Sequence, residues 1–298
     1  MATLKDVKTK INAVKKTKQI TKAMNMVAAS RLRGAQGRME AFRPYARKFA
    51  EVLGSLSEKA GEEASPLLMP REEVKKIHVI LCTSDRGLCG GFNANLTQKA
   101  GSFVADQAGR DVDISFTAFG KKGRDWCRKK KMTIADEYLG VVGGKFEFNV
   151  ASNAGLKLIR AFLNGEYDEV HIIYSEFQGM ARQIPMVEQL LPIPPIEGEE
   201  EEASTDENQP YQAEHLTEPS AEELLGEMLP RNVYVQIFSA LLETSTSEHA
   251  ARMTAMDNAT KACDDMIENL TMIYNKARQA AITGELMDIV GGAEALRG

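Results

Sequence analysis

Both ends of this chain carry inward-pattern residues at steps of three and four, and that spacing constrains the fold more than any other feature. From the N-terminus the series runs Leu4, Val7, Ile11, Val14, Lys18, Thr21, Asn25, Ala28, Leu32, Ala35, Met39, Phe42, Ala46, Phe49, Leu53, Leu56. Positions recurring about every 3.5 residues form the seam of a coiled-coil helix. The C-terminal third repeats the pattern through Val235, Phe238, Leu242, Ser245, His249, Arg252, Met256, Ala259, Cys263, Met266, Leu270, Ile273, Ala277, Ala280, Gly284 and Met287. Two long helices at opposite ends of a chain pair most simply antiparallel, because the segment between them can turn the chain around. Pro44 predicts a local kink in the first helix and Pro230 a start near the second, while Gly291 and Gly292 should loosen its end.

The middle of the chain has a different period. Lys76 to Thr83, Val112 to Phe119, Met132 to Tyr138 and Glu169 to Phe177 are short β-rich runs separated by helical stretches, and Gln183 to Leu191 reads as an extra edge strand. Alternation of this kind predicts a mostly parallel sheet with helices on its faces. From Pro192 to Pro219 the chain is Pro-rich and acidic, which reads as loop. The expected class is therefore α/β: a long antiparallel two-helix coiled coil carrying an inserted Rossmann-like α/β domain. The expected divisions are a first helix over 1–58, the α/β domain over 74–191, an acidic loop over 192–219 and the second helix over 220–298.

Charge is unevenly distributed. Met1 to Lys48 holds thirteen Lys or Arg and only two acids, Asp6 and Glu40, whereas Glu197 to Glu227 holds twelve acids and no Lys or Arg. A helix so poor in acids cannot neutralise itself through i,i+4 pairs, so an external acidic surface is a plausible partner. The net charge of −5 argues against a nucleic-acid protein. Cys82, Cys89, Cys127 and Cys263 show neither C-x-x-C spacing nor nearby histidines, which fits a reducing compartment and indicates no zinc site or disulfide framework. No apolar run approaches the ~20 residues that span a bilayer, and no secretory h-region opens the chain. Any approach to a membrane would go through another protein.

The stretch "TSDRGLCGGFN", Thr83 to Asn93, invites a phosphate-binding reading, because a strand empties there into glycines. It matches neither G-x-x-x-x-G-K-[ST] nor G-x-G-x-x-G. The glycines instead predict a turn with positive φ, and Asn93 a cap for the following helix. His78, His171, His215 and His249 are scattered, and His249 reads as a packed core histidine. No Ser/His/Asp or Cys/His grouping is visible, so catalytic, cofactor and metal residues are all expected to be absent.

Three motifs carry a resemblance. "SDRGLCGGFN" (Ser84 to Asn93), "QITKAMNMVAASRLR" (Gln19 to Arg33) and "YNKARQAAITGELMDIVGGAEAL" (Tyr274 to Leu296), with "SEHAARMTAMDNAT" (Ser247 to Thr260), closely resemble the gamma subunits of rotary F-type ATP synthases, in the family's order and across the whole chain. The resemblance implies a rotor shaft that itself hydrolyses nothing. Its helices would sit inside the hexamer of alpha and beta subunits, and its α/β domain would stand on the c-ring and contact the epsilon subunit. By motif position, Met24, Arg278 and Gln279 match residues at the beta lever contact, Thr283 and Glu285 the adjoining coupling region, and Lys22 a weaker site of the same kind. Glu218 in "HLTEP" is the candidate contact with the c-ring or epsilon, although His215 and Thr217 depart from the family pattern; Glu199 to Glu202 add charge to the same loop.

Of the polar seam residues Lys18, Thr21 and Asn25, the last two fall inside one of these motifs and Lys18 directly precedes it, and a kinked, off-axis shaft is one reading of that break in packing. A shaft that slides in a sleeve should also carry few large apolar residues on its outer face. The absence of a targeting segment and of a closely spaced cysteine pair before the last helix favours the cytoplasmic face of a bacterial inner membrane, as a peripheral subunit. Two other readings share parts of the pattern: a nucleotide-binding α/β protein with helical arms, and a static coiled-coil adaptor.

Overall fold

A computed structural model describes residues 4–60, 65–194 and 220–296. Ten elements follow in chain order: α1 (Leu4–Ala60), β1 (Lys76–Cys82), α2 (Phe92–Gln107), β2 (Asp113–Phe119), α3 (Lys121–Lys130), β3 (Thr133–Tyr138), α4 (Phe148–Leu163), β4 (Glu169–Phe177), β5 (Gln183–Leu191) and α5 (Ala221–Ala295). They form two compact units, one of Met1–Ala29 with Arg252–Gly298 and the other of Ser30–Ala251.

In the larger unit the five strands make one sheet in the order β3-β2-β1-β4-β5. β1 pairs in parallel with both β2 and β4, β2 in parallel with β3, and β5 closes one edge antiparallel to β4. The expected sheet and its extra edge strand are both present, and the structure adds that this strand is antiparallel. Period-two alternation divides the central strand: Ile77, Val79 and Leu81 join a core with Leu96 and Ala100 of α2 and Cys127 of α3. His78 belongs to the alternate set. Its ring nitrogens lie 2.8 Å from Ser115 Oγ and 2.9 Å from Thr117 Oγ1, Tyr167 stacks on it, and burial lowers its pKa to about 4, so it stays neutral.

β4 runs four residues, Tyr174 to Phe177, beyond its last pair with β1. The pairing ends at Leu81↔Ile173, leaving the backbone of Ser175 and Phe177 without a strand on that side. α5 supplies the missing partners through side chains. Ser175 N–H donates to Thr244 Oγ1 at 3.3 Å, Phe177 N–H to Glu243 Oε2 at 2.8 Å, and Ser247 Oγ donates to Ser175 O at 3.2 Å. Arg43 of α1 donates to the other oxygen of Glu243 at 2.8 Å. This is why the polar run Glu243 to His249 is buried throughout: its side chains finish a sheet edge, and an unfinished edge in the interior would leave backbone groups unpaired. His249 is a core histidine as expected, 3% exposed. Nearby, Phe42, Phe146 and Phe148 surround the ring of Phe238, and Gly155 of α4 lets Tyr234 approach where a Cβ would sit 2.4 Å from Cδ1.

The polar side chains of Thr83, Ser84, Asp85 and Asn93 in the glycine stretch are structural. Thr83 Oγ1 accepts from Gly123 N at 2.7 Å, Ser84 O from Lys122 N at 3.1 Å and Asp85 Oδ1 from Lys121 N at 3.1 Å. The first-turn amides of α3, the groups that would cradle a phosphate, are therefore committed within the loop. Asn93 does not cap α2, which starts from Gly91; its side chain turns back to accept from Ser84 N at 3.0 Å. The reason is position: Asn93 is already inside the helix, so its amide group is better used to close the loop. Burial raises the thiol pKa values of Cys82 and Cys127, the latter to about 12, which leaves both unreactive.

Of the two adjacent glycines, only Gly90 has positive φ, at 58°, while Gly91 lies at −80°. Gly90→Val should therefore lower the melting temperature clearly more than Gly91→Val, because a β-branched side chain is strained in the left-handed region. Thermal denaturation of the two single variants checks this, and equal losses would contradict it.

The helix ends differ from expectation. α5 begins nine residues before Pro230, which lies inside it, and runs through Gly291 and Gly292 to Ala295. α1 likewise continues through Pro44.

Candidate partner-binding surface

The smaller unit is an antiparallel helix pair whose register is set by polar residues. Lys18 forms an ion pair with Asp264, the Thr21 and Thr260 hydroxyls lie 2.8 Å apart, and Asn25 Nδ2 donates to Met253 O at 2.8 Å. As α1 advances its partner on α5 recedes, which fixes the antiparallel sense. The three polar seam positions thus serve a cross-helix function: a slip of one turn would leave each without its partner. This accounts for the polar break without a kink.

Every seam position of α1 from Leu4 to Leu56 is buried or half-buried. On α5 the expected seam holds to Cys263 and again at Leu270 and Ala277, but every second position moves by one: Ile267, Tyr274 and Ala281 are half-buried in place of Met266, Ile273 and Ala280, which are exposed. The sequence is ambiguous there, because Met266/Ile267, Ile273/Tyr274 and Ala280/Ala281 are adjacent pairs of non-polar or aromatic residues that satisfy either phase. Gly284 and Met287 also stand outside the seam. Extended at the register of Lys18 with Asp264, Leu4 falls near Arg278, so beyond Ala281 no described helix faces α5.

The residues matched to the beta contact occupy two levels. Lys22 is exposed and Met24 half-buried, near the Thr21–Thr260 layer; Arg278 and Gln279 are exposed near the start of α1, about 28 Å farther along α5 at ~1.5 Å per residue. Thr283 and Glu285 are exposed on the unpaired stretch of α5. Glu218, the HLTEP segment and Glu199 to Glu202 lie outside the described residues. Lys5, Lys8, Lys10, Lys15, Lys16 and Lys22 are exposed and form no ion pair among the described residues, so these cations are available to an external partner.

One expectation is overturned. The outer face is rich in large apolar side chains: Ile20, Met26 and Val27 on α1, and Ile282, Leu286, Met287, Ile289 and Val290 on α5, are each about half exposed or more. Ile282, Leu286 and Ile289 follow a helical i, i+4, i+7 stripe, and an exposed apolar stripe of this kind is a candidate partner-binding surface. Its signal was present in the sequence, but only the limited reach of α1 shows that no described helix covers the stripe. Among the described residues no group of His, Cys, Asp and Glu could hold a metal ion, and no helix is long and apolar enough to cross a membrane.

A family model described as ATP synthase matches residues 3–296. The ATP synthase gamma chain of Desulfosudis oleivorans is 67% identical over all of both chains, and that of Desulforapulum autotrophicum is 64% identical over 99% of this chain and all of that one. The chain belongs to the ATP synthase gamma chain family. Chains of solved structures share the fold at much lower identity. A chain in the structure of Euglena gracilis mitochondrial ATP synthase, OSCP/F1/c-ring, aligns with a TM-score of 0.68 at 19% identity, covering 98% of this chain and 94% of that one. A chain of the Tetrahymena thermophila mitochondrial ATP synthase central stalk and c-ring aligns with a TM-score of 0.58 at 23% identity, covering 80% of this chain and 99% of that one. ATP synthesis and ion transport are activities of the complex to which gamma chains belong.

Proposed function

We propose that this chain is the central rotor shaft of an F-type ATP synthase, coupling ion-driven rotation of a membrane c-ring to conformational cycling of the catalytic beta subunits. The observation that carries the reading, beside family membership, is the smaller unit itself: a helix pair locked in register by Lys18–Asp264, Thr21–Thr260 and Asn25–Met253, with a cationic and apolar outer face. A torque-bearing shaft needs the first property, since two helices free to slide would dissipate twist. It needs the second because its face must be read by surrounding subunits. The apolar stripe of α5 suits a close-fitting bearing of alpha and beta subunits, and the unpaired lysines of α1 suit acidic levers on beta.

In this role the chain contributes no catalytic group. Its changing face would favour one state of each beta subunit after another during synthesis, with the sequence reversed during hydrolysis. Met24, with Lys22, would engage the beta lever at the level of the Thr21–Thr260 layer, and Arg278 and Gln279 at a second level, with Thr283 and Glu285 coupling beyond it. Glu218 would meet the c-ring or the epsilon subunit. The chain would work at the cytoplasmic face of a bacterial inner membrane, attached through the c-ring.

Co-expression with the alpha and beta subunits of the same organism tests the reading. One copy should enter each hexamer and raise its ATPase activity; a hexamer that assembles without the chain and works equally well would sink it. A sharper test is Met24→Lys, which adds a cation opposite the acidic lever and should over-stabilise one rotational position. Assembly should be near normal, while protons pumped per ATP in membrane vesicles should fall severalfold. Unchanged pumping would remove Met24 from the contact.

A further inference from the structure

The exposed face of α3 is almost wholly cationic. The helix reads KKGRDWCRKK and is followed by Lys131. Gly123 and Cys127 are buried, and Trp126 packs against the core, standing edge-on to Phe116. The other positions are all charged. Asp125 is taken by Arg124 at 2.8 Å and Glu137 by Arg128 at 2.7 Å. Lys121, Lys122, Lys129, Lys130 and Lys131 are exposed and form no ion pair among the described residues.

Helix stability does not explain this arrangement. Cations suit the C-terminal turn, where Arg128, Lys129 and Lys130 lie, but Lys121 and Lys122 occupy a first turn with no acid, where the helix dipole opposes them. Nor does the face suit a protein partner, because a stable interface has an apolar centre and this face has none. It does not suit a single-stranded nucleic acid either, since the one aromatic side chain of α3 is committed to the core. Lysine, a compact and mobile charge, predominates over arginine, whose planar fork is the better partner for individual carboxylates. Four to eight cations on one face of an amphipathic helix match what acidic headgroups attract.

We propose that α3 is an electrostatic contact for an acidic phospholipid surface. α3 connects β2 to β3, the outermost strand of the sheet, so its charged face lies at the periphery of the domain. The contact is one of surface charge alone: with its apolar side held by the core, α3 cannot insert. It would add a lipid contact to a subunit otherwise tied to the membrane through other proteins, and it stands or falls independently of rotation.

Trp126 is the single tryptophan of the chain and lies on this helix, so it reports contact directly. The full-length chain is mixed with vesicles of neutral lipid, or of neutral lipid with phosphatidylglycerol, each carrying a dansyl-labelled lipid as energy acceptor. Transfer from Trp126 should appear with acidic vesicles only and fall with added salt. Each lysine should contribute roughly fivefold to partitioning, so changing all five to Gln should abolish transfer. Changing Lys5, Lys8, Lys10, Lys15 and Lys16 of α1 to Gln controls for the other cationic region and should leave the transfer in place. Circular dichroism confirms that both variants are folded. The proposal is overturned if acidic vesicles give no transfer, if the α3 variant transfers like the parent, or if the α1 variant loses transfer instead. Loss of thermal stability in the α3 variant without vesicle binding by the parent would show that an acidic protein segment covers α3, and would overturn it as well.

Discussion

Glu243→Ala should lower the stability of the α/β unit by about 2–3 kcal/mol, while Glu243→Gln should cost less than about 1 kcal/mol. The difference follows from what the carboxylate does. One oxygen accepts the buried N–H of Phe177, beyond the end of β1, and the other accepts from Arg43. Alanine leaves a buried N–H with no partner, at the full cost of desolvation, whereas glutamine retains an acceptor for it. Loss of the charge matters less, because the Arg43 side chain is 43% exposed and can turn to water. Breaking a fully buried pair would cost more, on the order of 3–5 kcal/mol. Urea unfolding followed by Trp126 fluorescence reads this unit alone. The midpoint should shift with the slope unchanged, and equal shifts for the two variants would show that the edge-completing bond is not what Glu243 supplies.

Gly120→Ala should have a still larger effect and prevent the unit from folding. Gly120 sits at φ 96° and ψ 149°, a region open essentially to glycine alone. An added Cβ would lie 2.2 Å from Thr83 O, a backbone atom fixed by the hydrogen bond from Thr83 N to Phe119 O and so unable to move away. Strain of roughly 1–3 kcal/mol therefore combines with a clash that could only be relieved by breaking the β1–β2 pairing. Gly140→Ala separates the two contributions. Its φ is 79°, yet nothing lies within 4 Å of the added atom, so it should show backbone strain alone. Soluble yield and urea midpoint compare the two; a Gly120→Ala variant as stable as Gly140→Ala would contradict the close approach.

The strands were legible because the central sheet is built from β-rich runs ended by glycine or charge; β4, Glu169–Phe177, has the limits its composition predicted. The helix pair was legible over α1, where each inward residue is flanked by polar ones. On α5 after Cys263 it held at Leu270 and Ala277 but missed every second position, where neighbouring non-polar residues allowed two phases and only packing against α1 chose between them. The run Glu243 to His249 could not be read as wholly buried, because a helical period marks one inward face and this segment is enclosed on every side. Asn93 illustrates a smaller ambiguity: a residue suited to capping stands two positions past the cap residue Gly91 and so cannot cap. At the candidate surface, sequence located the family motifs but not the apolar stripe from Ile282 to Val290, which becomes a surface only when α1 is seen to stop short of it. Exposed side chains that meet another protein leave no signature in the packing of their own chain, so the roles of Met24, Arg278 and Gln279 rest on motif position.

Direct observation of rotation tests the central claim. A hexamer of alpha and beta subunits containing this chain is fixed to a surface through beta, and a bead is attached to an exposed cysteine introduced in the larger unit of the chain, at Lys99. During ATP hydrolysis the bead should turn in one direction, in discrete steps whose rate rises with ATP concentration. Hydrolysis at full rate with a stationary or randomly fluctuating bead would contradict the rotor-shaft account.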